Sequence, residues 1–515
     1  MPTFLGLDSS TQSLSAVLID AESGSLTEAS VNFGKDLPQY GQPSGYDPSG
    51  DRGEVHSNPL MWLEALDLLL GKMKADDVDF SKVSAVSGSG QQHGSVYLKG
   101  CFGDKLASLD ASSDLKGQLA GCLTRKSSPI WMDSSTSAQC EEIEDQVGGN
   151  EVVCQKSGSI MVERFTGSQI RKFAKTEPEA YAETGVIHLV SSYLASILAG
   201  KNVAIDQGDG AGMNLMNLAS GEWDSELLTA TADDLEKKLP AVAPSFTSSG
   251  PISSYFVEKY GFSPECRTVI WSGDNPCSLV GMGAARPGQV VISLGTSDTL
   301  FAAMREPRTD PQGFGHAFGN PIGGYMSLIC FKNGSLAREA VKEQYGLEWS
   351  AFEKEALAKT PLGNDCLMML PFYEPEITPR LDTGGPVFSS DIEPTAAQAV
   401  RAVLEGQFLN MRQHYAWLGI SPERISITGG ASENDGIAQV IANVFGVSVD
   451  RLDVLGSAGV GAAMRAGHAT GASLADLESK FSQPKEGSTI QPEEGAKEIY
   501  DVMLPKFEAF LNSHS

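Results

Sequence analysis

Two stretches of this chain share one form: a short apolar strand, a tip of hydroxyls with a carboxylate, and an apolar strand returning. In the first, Phe4-Leu5-Gly6-Leu7 runs into Asp8-Ser9-Ser10-Thr11-Gln12-Ser13, and Leu14 to Ile19 comes back. In the second, Val290 to Leu294 runs into Gly295-Thr296-Ser297-Asp298-Thr299, and Leu300 to Met304 comes back. Apolar runs on either side of a short polar turn predict β-hairpins. One hairpin in each half reads as a weak internal duplication, which leads to the expectation of two similar α/β domains facing each other across a cleft. Two unrelated hairpins are the competing reading, and spacing does not decide between them.

The remaining landmarks fit an α/β chain of 515 residues, long enough for two or three domains. Pro59 to Lys74 predicts a helix with Leu63, Leu66, Leu70 and Met73 on one face. Val83 to Val86 predicts a strand entering a loop, Ser87-Gly88-Ser89-Gly90-Gln91-Gln92-His93-Gly94. Arg424 to Ile427 predicts a strand entering Thr428-Gly429-Gly430-Ala431-Ser432-Glu433-Asn434, and a helix follows with Ile437, Val440, Ile441, Val444 and Phe445 at helical spacing. A strand, a Gly-rich turn and a helix offer backbone N–H groups to a phosphate or nucleotide. Ser457 to Ala463 reads as a helix of small residues packed closely on a neighbour. The Ser, Gly and Pro cluster from Phe246 to Pro251 is the expected domain boundary, giving domains 1–249 and 250–515.

Composition excludes several classes. Asp and Glu total 65 against 38 Lys and Arg, a formal charge of −27, which repels phosphate backbones and anionic lipid, so neither nucleic acid nor a membrane surface is an expected partner. The eight cysteines form no CxxC pair, and they read as reduced thiols of a cytoplasmic protein. A strand beginning at Phe4 leaves no room for a leader peptide. The longest apolar candidate for a membrane span, Val186 to Gly200, is interrupted by Ser191, Ser192 and Ser196.

No GxxxxGK[ST] occurs, so phosphates would be held by turn amides and hydroxyls rather than by a P-loop. The two hairpin tips suit that task, and Asp8 is a candidate Mg²⁺ ligand, directly or through water. Asp274, in Ser272-Gly273-Asp274-Asn275-Pro276, is a candidate general base, with helix or turn capping as the plainer alternative. His93, beside Gln92 in a Gly-framed polar loop, is a candidate for sugar hydrogen bonding. Glu163-Arg164-Phe165-Thr166-Gly167 puts a cation next to an aromatic ring, with a surface ion pair as the alternative.

In order, these stretches are GLDSSTQS from Gly6, SGSGQQHGS from Ser87, WMDSSTSAQC from Trp131, ERFTG from Glu163 and SGDNP from Ser272. SLGTSDTLF from Ser293, CFKNGSLARE from Cys330, LEGQF from Leu404, TGGASEN from Thr428 and SAGVGAA from Ser457 follow. Their collinear order resembles the FGGY carbohydrate kinases, and most closely the eukaryotic-type branch that phosphorylates xylulose. The resemblance implies two actin-like, RNase H-like domains with the active site in the cleft between them. It implies ATP-dependent phosphorylation of D-xylulose to D-xylulose 5-phosphate with Mg²⁺, by a monomer or homodimer. By motif, Asp8 would hold the metal, and Ser10, Thr11 and Gln12 would lie near the phosphates. His93, Gln92, Arg164, Asp274 and Asn275 would line the sugar site, with Asp274 as the base. Gly295 and Thr296 would meet the β- and γ-phosphates, Gly429, Gly430 and Asn434 the adenosine side, and Trp349 would flank the base. Two departures stand out. Gln169-Ile170-Arg171-Lys172-Phe173 replaces the Lys-aromatic-x-Trp pattern of many bacterial members, and the second family signature is poorly matched around Gly324 to Ala340.

Kinases for D-ribulose or glycerol are the nearest rivals. An actin-like or chaperone-like ATPase would keep the two hairpins but would not need the QQHG, ERFTG and SGDNP set. A silent sugar sensor would not need both Asp8 and Asp274.

Overall fold

The computed structural model describes residues 2–353, 355–454 and 456–514. Both expected hairpins form. In the first, β1 (Thr3–Ser9) pairs antiparallel with β2 (Ser13–Asp20), which pairs antiparallel with β3 (Leu26–Asn32). Side chains alternate along β1, so Leu5 and Leu7 enter the core while Gly6 and Asp8 occupy the other face. Helix α1 (Pro59–Ala75) covers the core side and buries Leu63, Leu66, Leu70 and Met73, as its periodicity predicts.

Strand β4 (Val83–Gly90) pairs parallel with β1 and is longer than expected, because Ser87 to Gly90 belong to the strand and not to a loop. Its glycines provide clearance rather than a turn: a Cβ on Gly88 would lie 2.2 Å from the Trp271 ring. Helices α2 (Thr166–Thr176), α3 (Val190–Ala199) and α4 (Gln207–Ala211) follow, with α3 only ten residues long. Among the described residues, no helix is long and apolar enough to cross a membrane. Strands β5 (Ser248–Pro251) and β6 (Arg267–Val269) complete a sheet ordered β5-β6-β4-β1-β2-β3, and helix α5 (Asp274–Gly281) leaves its end.

The second hairpin opens a second sheet. Strand β7 (Val290–Leu294) pairs antiparallel with β8 (Asp298–Met304), and residues 327–331 extend the sheet beyond β8. After α6 (Ser335–Gln344) and α7 (Ala396–His414), β9 (Arg424–Thr428) joins β7 in parallel. Helix α8 (Asp435–Phe445) and β10 (Ser448–Arg451) follow, with β10 parallel to β9. Outward from each hairpin, the order β3-β2-β1-β4-β6 is matched by residues 327–331, then β8-β7-β9-β10. That shared order decides in favour of duplication over two unrelated hairpins.

The division of the chain differs from the expected break at 249/250. The first compact unit runs to Ala285, includes Ala317–Met326, and takes in residues 456–482; the second holds Arg286–His316, Ser327–Val454 and residues 483–514. The Ser, Gly and Pro cluster is not a linker but the edge strand β5, where a proline needs no ladder partner. Helix α9 (Ser457–Ala469) returns to the first unit because its small residues allow backbone contact. A Cβ on Gly6 of β1 would lie 2.1 Å from the Gly459 carbonyl, and one on Gly461 would lie 1.9 Å from the Cys277 carbonyl of α5. The stripe of small residues therefore packs against the two elements that carry Asp8 and Asp274.

Candidate active site

In the first unit, the ends of β1 and β4 and the start of α5 bring polar groups together. Asp8 is the penultimate residue of β1 and is half-buried. Ser89, its register partner on β4, donates its hydroxyl to Asp8 Oδ1 at 2.5 Å. Burial holds the Asp8 carboxyl above the ordinary range, and the Ser89 bond works against that rise.

Asp274 is the first residue of α5, and Gly273 occupies the N-cap position, so the plainer expectation that Asp274 caps the helix is not met. Its Oδ1 accepts the Asn275 backbone N–H at 2.8 Å and the Asn275 side-chain amide at 3.2 Å. The same amide donates to Gln92 Oε1 at 2.7 Å, tying the QQHG loop to the SGDNP segment. Burial, and then the negative charge of Asp8, push Asp274 up to about 7, while backbone N–H groups of Asn275 and Gln92 oppose the shift. A carboxyl that titrates near neutral pH suits a general base.

His93 takes a left-handed backbone conformation, φ 71°, at the loop apex. Its Nδ1 lies 2.8 Å from the Gly212 carbonyl, which puts the ring proton there and makes Nε2 an acceptor in the neutral imidazole. The ring stacks on Phe165 at 4.2 Å, and the Arg164 guanidinium lies 5.7 Å from that same ring. All five expected sugar-site residues, Gln92, His93, Arg164, Asp274 and Asn275, thus lie in the first unit on connected supports. Ser10, Thr11 and Gln12 form the hairpin tip beyond Asp8; Ser10 Oγ bonds Ser13, and Thr11 Oγ1 accepts the Trp131 indole N–H at 2.9 Å.

In the second unit, a cavity of about 490 Å³ is lined by Gly295, Thr296, Ser335, Arg338, Trp349, Gly430 and Asn434, among others. That volume suits a nucleotide-sized ligand. Trp349 is 41% exposed and offers an aromatic face, with Lys342 Nζ 5.7 Å from its ring centre. Asn434 caps α8 by accepting the Ile437 N–H at 3.0 Å. Gly429 is the exception, since it does not line the cavity. With φ 91°, it lets the turn pass the hairpin, where a Cβ would lie 2.4 Å from the Leu294 carbonyl.

Several supports carried no assigned role in the sequence. Asp298 at the second hairpin is fully buried and pairs bidentately with Arg338, at 2.9 and 3.0 Å. It also accepts the Gly295 N–H at 3.2 Å, and Gln407 of the LEGQF segment bonds Arg338 and the Asn333 and Gly334 carbonyls. These bonds explain why CFKNGSLARE and LEGQF accompany the hairpin. In WMDSSTSAQC, Asp133 accepts from Val55, Ser135 and Gln169, and His56 Nε2 lies 3.2 Å from its Oδ2. Burial would raise this carboxyl, but the hydrogen bonds outweigh it and hold it well below the ordinary range. Gln169, first of the residues that replace the bacterial pattern, therefore serves Asp133.

A further acidic group lies behind the sugar loop. Asp206 caps α4, accepting the Gly208 and Asp209 N–H groups and the hydroxyls of Ser245 and Ser272. Asp209 is buried and accepts Ser191 Oγ at 2.5 Å. Burial, then the charges of Asp206 and Asp274, raise its carboxyl well above the ordinary range. The legible signal was the Gly and Asp density of Asp206-Gln207-Gly208-Asp209-Gly210-Ala211-Gly212, which has no periodicity.

Residues 126–281 match the N-terminal domain of the FGGY family of carbohydrate kinases, and residues 290–470 match its C-terminal domain. The chain belongs to the FGGY family of carbohydrate kinases. It is 44% identical to the xylulose kinase of Mus musculus, over 98% of this chain and 93% of that one. It is 43% identical to xylulose kinase 2 of Arabidopsis thaliana, over 90% and 87% of the two chains. Among solved structures, a xylulose kinase from Rhodospirillum rubrum shares the fold with a TM-score of 0.82 at 19% identity, covering 99% of this chain and 98% of that one.

Proposed function

We propose that this chain transfers the γ-phosphoryl group of ATP to D-xylulose, giving D-xylulose 5-phosphate and ADP, in the cytoplasm. The observation that carries the reading is Asp274, pushed up to about 7 and held by Asn275 and Gln92 beside His93, in a chain so closely related over its length to the mouse xylulose kinase. All eight cysteines are free thiols, in keeping with a reducing compartment.

Asp274 takes the proton of the attacking sugar hydroxyl; that O–H bond breaks as the new O–P bond forms, and the bond from the γ-phosphorus to the bridging oxygen breaks with its electron pair passing to ADP, the leaving group. His93 Nε2 accepts a hydrogen bond from a second sugar hydroxyl, which keeps its proton, while Nδ1 is anchored on the Gly212 carbonyl. Arg164, Gln92 and Asn275 orient the remaining sugar oxygens. In the second unit, Gly295 and Thr296 receive phosphates, Trp349 receives the adenine, and Gly430 and Asn434 face the nucleoside.

The donor set suits magnesium. Among the described residues there is no cluster of three or more His, Cys, Asp or Glu that could hold a metal ion. A cation that keeps its waters and binds one carboxylate together with phosphates does not need such a cluster. Asp8, half-buried and held above the ordinary range by desolvation, would hold it, since a nearby cation favours the ionised carboxyl. Bound there, magnesium supplies charge neutralisation at the phosphates.

A coupled ADP assay over D-xylulose, D-ribulose, D-fructose and glycerol tests the reading. D-Xylulose is expected to give the highest kcat/KM. A lead of about tenfold, or 1.4 kcal/mol in discrimination, for D-ribulose or glycerol overturns the substrate. No sugar-dependent ADP release overturns the reaction.

A further inference from the structure

We propose that Arg465 is a positioning residue for phosphoryl transfer, a buried cation on α9 that locks together the backbone segments presenting Asp274 and Asp8. The proposal rests on the reading of Asp274 as the base. Arg465 is 2% exposed, yet among the described residues its hydrogen bonds go to backbone carbonyls, a hydroxyl and a thiol and to no carboxylate. One guanidinium nitrogen donates to the Gly88 carbonyl at 3.2 Å, to Cys277 Sγ at 3.3 Å and to Ser87 Oγ at 3.5 Å. The other donates to the Ser245 and Ile270 carbonyls at 2.8 and 3.0 Å.

Each partner leads to the chemistry. Gly88 precedes Ser89, which bonds Asp8. Ile270 lies on the approach to Asp274, and Cys277 lies one turn beyond it on α5. Ser245 bonds Asp206 through its hydroxyl, and Asp206 in turn holds Ser272 of the SGDNP segment. A single planar fork therefore fixes the strand beside Asp8, the approach to Asp274 and the helix after it.

Packing alone does not call for a cation here. A buried charge without a carboxylate partner costs far more to desolvate than an apolar side chain of similar volume. The position borders the acidic groups, because Arg465 contacts Ser245, whose hydroxyl bonds Asp206, and Gly88, next to the Ser89 that bonds Asp8. The Cys277 thiol reports the local field: burial pushes it up to about 12, Arg465 pulls it down, and Asp206 and Asp8 push it up. Arg465 bonds neither His93 nor Arg164 through any of these contacts, so its loss disturbs the reacting groups more than sugar binding.

The test is steady-state kinetics with D-xylulose and MgATP, beside urea unfolding, for Arg465→Lys, Arg465→Met and Asp274→Asn. Misplacement of reacting groups costs on the order of a hundredfold. Arg465→Met is expected to lose about thirtyfold or more in kcat with the sugar KM within about threefold of wild type. Arg465→Lys, which keeps the charge but reaches fewer acceptors, is expected to fall about three- to tenfold in kcat at the same KM. A folded Arg465→Met with wild-type kcat, or with kcat and KM altered by equal factors, overturns the proposal. If Arg465→Met does not fold, Arg465→Lys decides, and wild-type kcat in that variant overturns it. Asp274→Asn separates the two readings. If it keeps more than about a tenth of kcat, the base assignment fails and this inference fails with it. If it is silent while the Arg465 variants behave as wild type, only the role of Arg465 fails.

Discussion

Asp274 makes the pH profile a sharp test of the proposed chemistry. Its carboxyl is pushed from 3.8 up to about 7 by burial and then by the charge of Asp8. As the base it must be ionised, so the rate rises with pH through that value and levels off above it. One pH unit below the midpoint the ionised fraction is about 0.09, and two units below it is about 0.01. An ordinary carboxyl would be fully ionised over pH 5.5 to 8, and the rate would be flat to within about 2%. The assay is ADP release at fixed ionic strength, with kcat/KM for ATP measured at saturating sugar so that it reports the nucleotide-free form. A decline of about fiftyfold between pH 7 and 5, or about a hundredfold from the high-pH plateau, is expected there. The limb in kcat should lie at lower pH, because a cation on Asp8 cancels the second cause of the shift while burial persists. A flat kcat/KM from pH 5.5 to 8 would refute the reasoning, and so would a kcat limb above the kcat/KM limb.

Asp209 gives a stability prediction of defined sign. Unfolded, it ionises near 3.8; folded, it holds its proton to well above that. The native state therefore binds more protons in that window, and stability falls as pH rises through it. Asp209→Asn, which can still accept from Ser191, should melt higher than wild type at pH 8 and close to it at pH 5; an equal loss at both pH values contradicts this. At the nucleotide cavity, Asn434→Ala should raise the ATP KM more than the sugar KM, and Asn434→Asp, which keeps the helix cap, separates lost contact from the roughly 1 kcal/mol of a lost cap. A raised sugar KM with unchanged ATP KM would put this turn in the other site. Breaking the buried Arg338–Asp298 pair from either side should cost about 3–5 kcal/mol in urea unfolding, and the double variant far less than the sum. Additive losses would mean that the pair is not coupled.

The hairpins and α1 were legible because alternation and helical spacing are local signals, and the candidate site residues were picked out by short polar motifs standing in a fixed order. Ser87 to Gly90 read as a loop because glycine usually breaks strands, whereas here the Trp271 ring requires its absence of a side chain. Gly429 read as a ligand contact because a Gly-rich turn between strand and helix offers backbone N–H groups, yet its own place is against Leu294. Asp206 to Gly212 escaped notice because its importance comes from partners at Ser191, Ser245 and Ser272, which no window of sequence brings together. The domain break was misplaced for the same reason. A Pro and Gly cluster marks an edge strand as readily as a linker, and the return of α9 depends on a fit between residues 6 and 459.

That return has a consequence for how the molecule is made. A ribosome delivers the N-terminal strands first, but the surface of β1 around Gly6 stays uncovered until residues 456–482 have emerged. By then nearly the whole second unit has been synthesised. The first unit cannot finish folding vectorially, and for most of synthesis it waits with an open face and a half-housed pair of aspartates. A stop codon after Ala285, where the first long stretch ends, would yield a protein that relies on chaperones and is prone to aggregation. Adding residues 456–482 back through a short linker would cover the surface of β1 around Gly6.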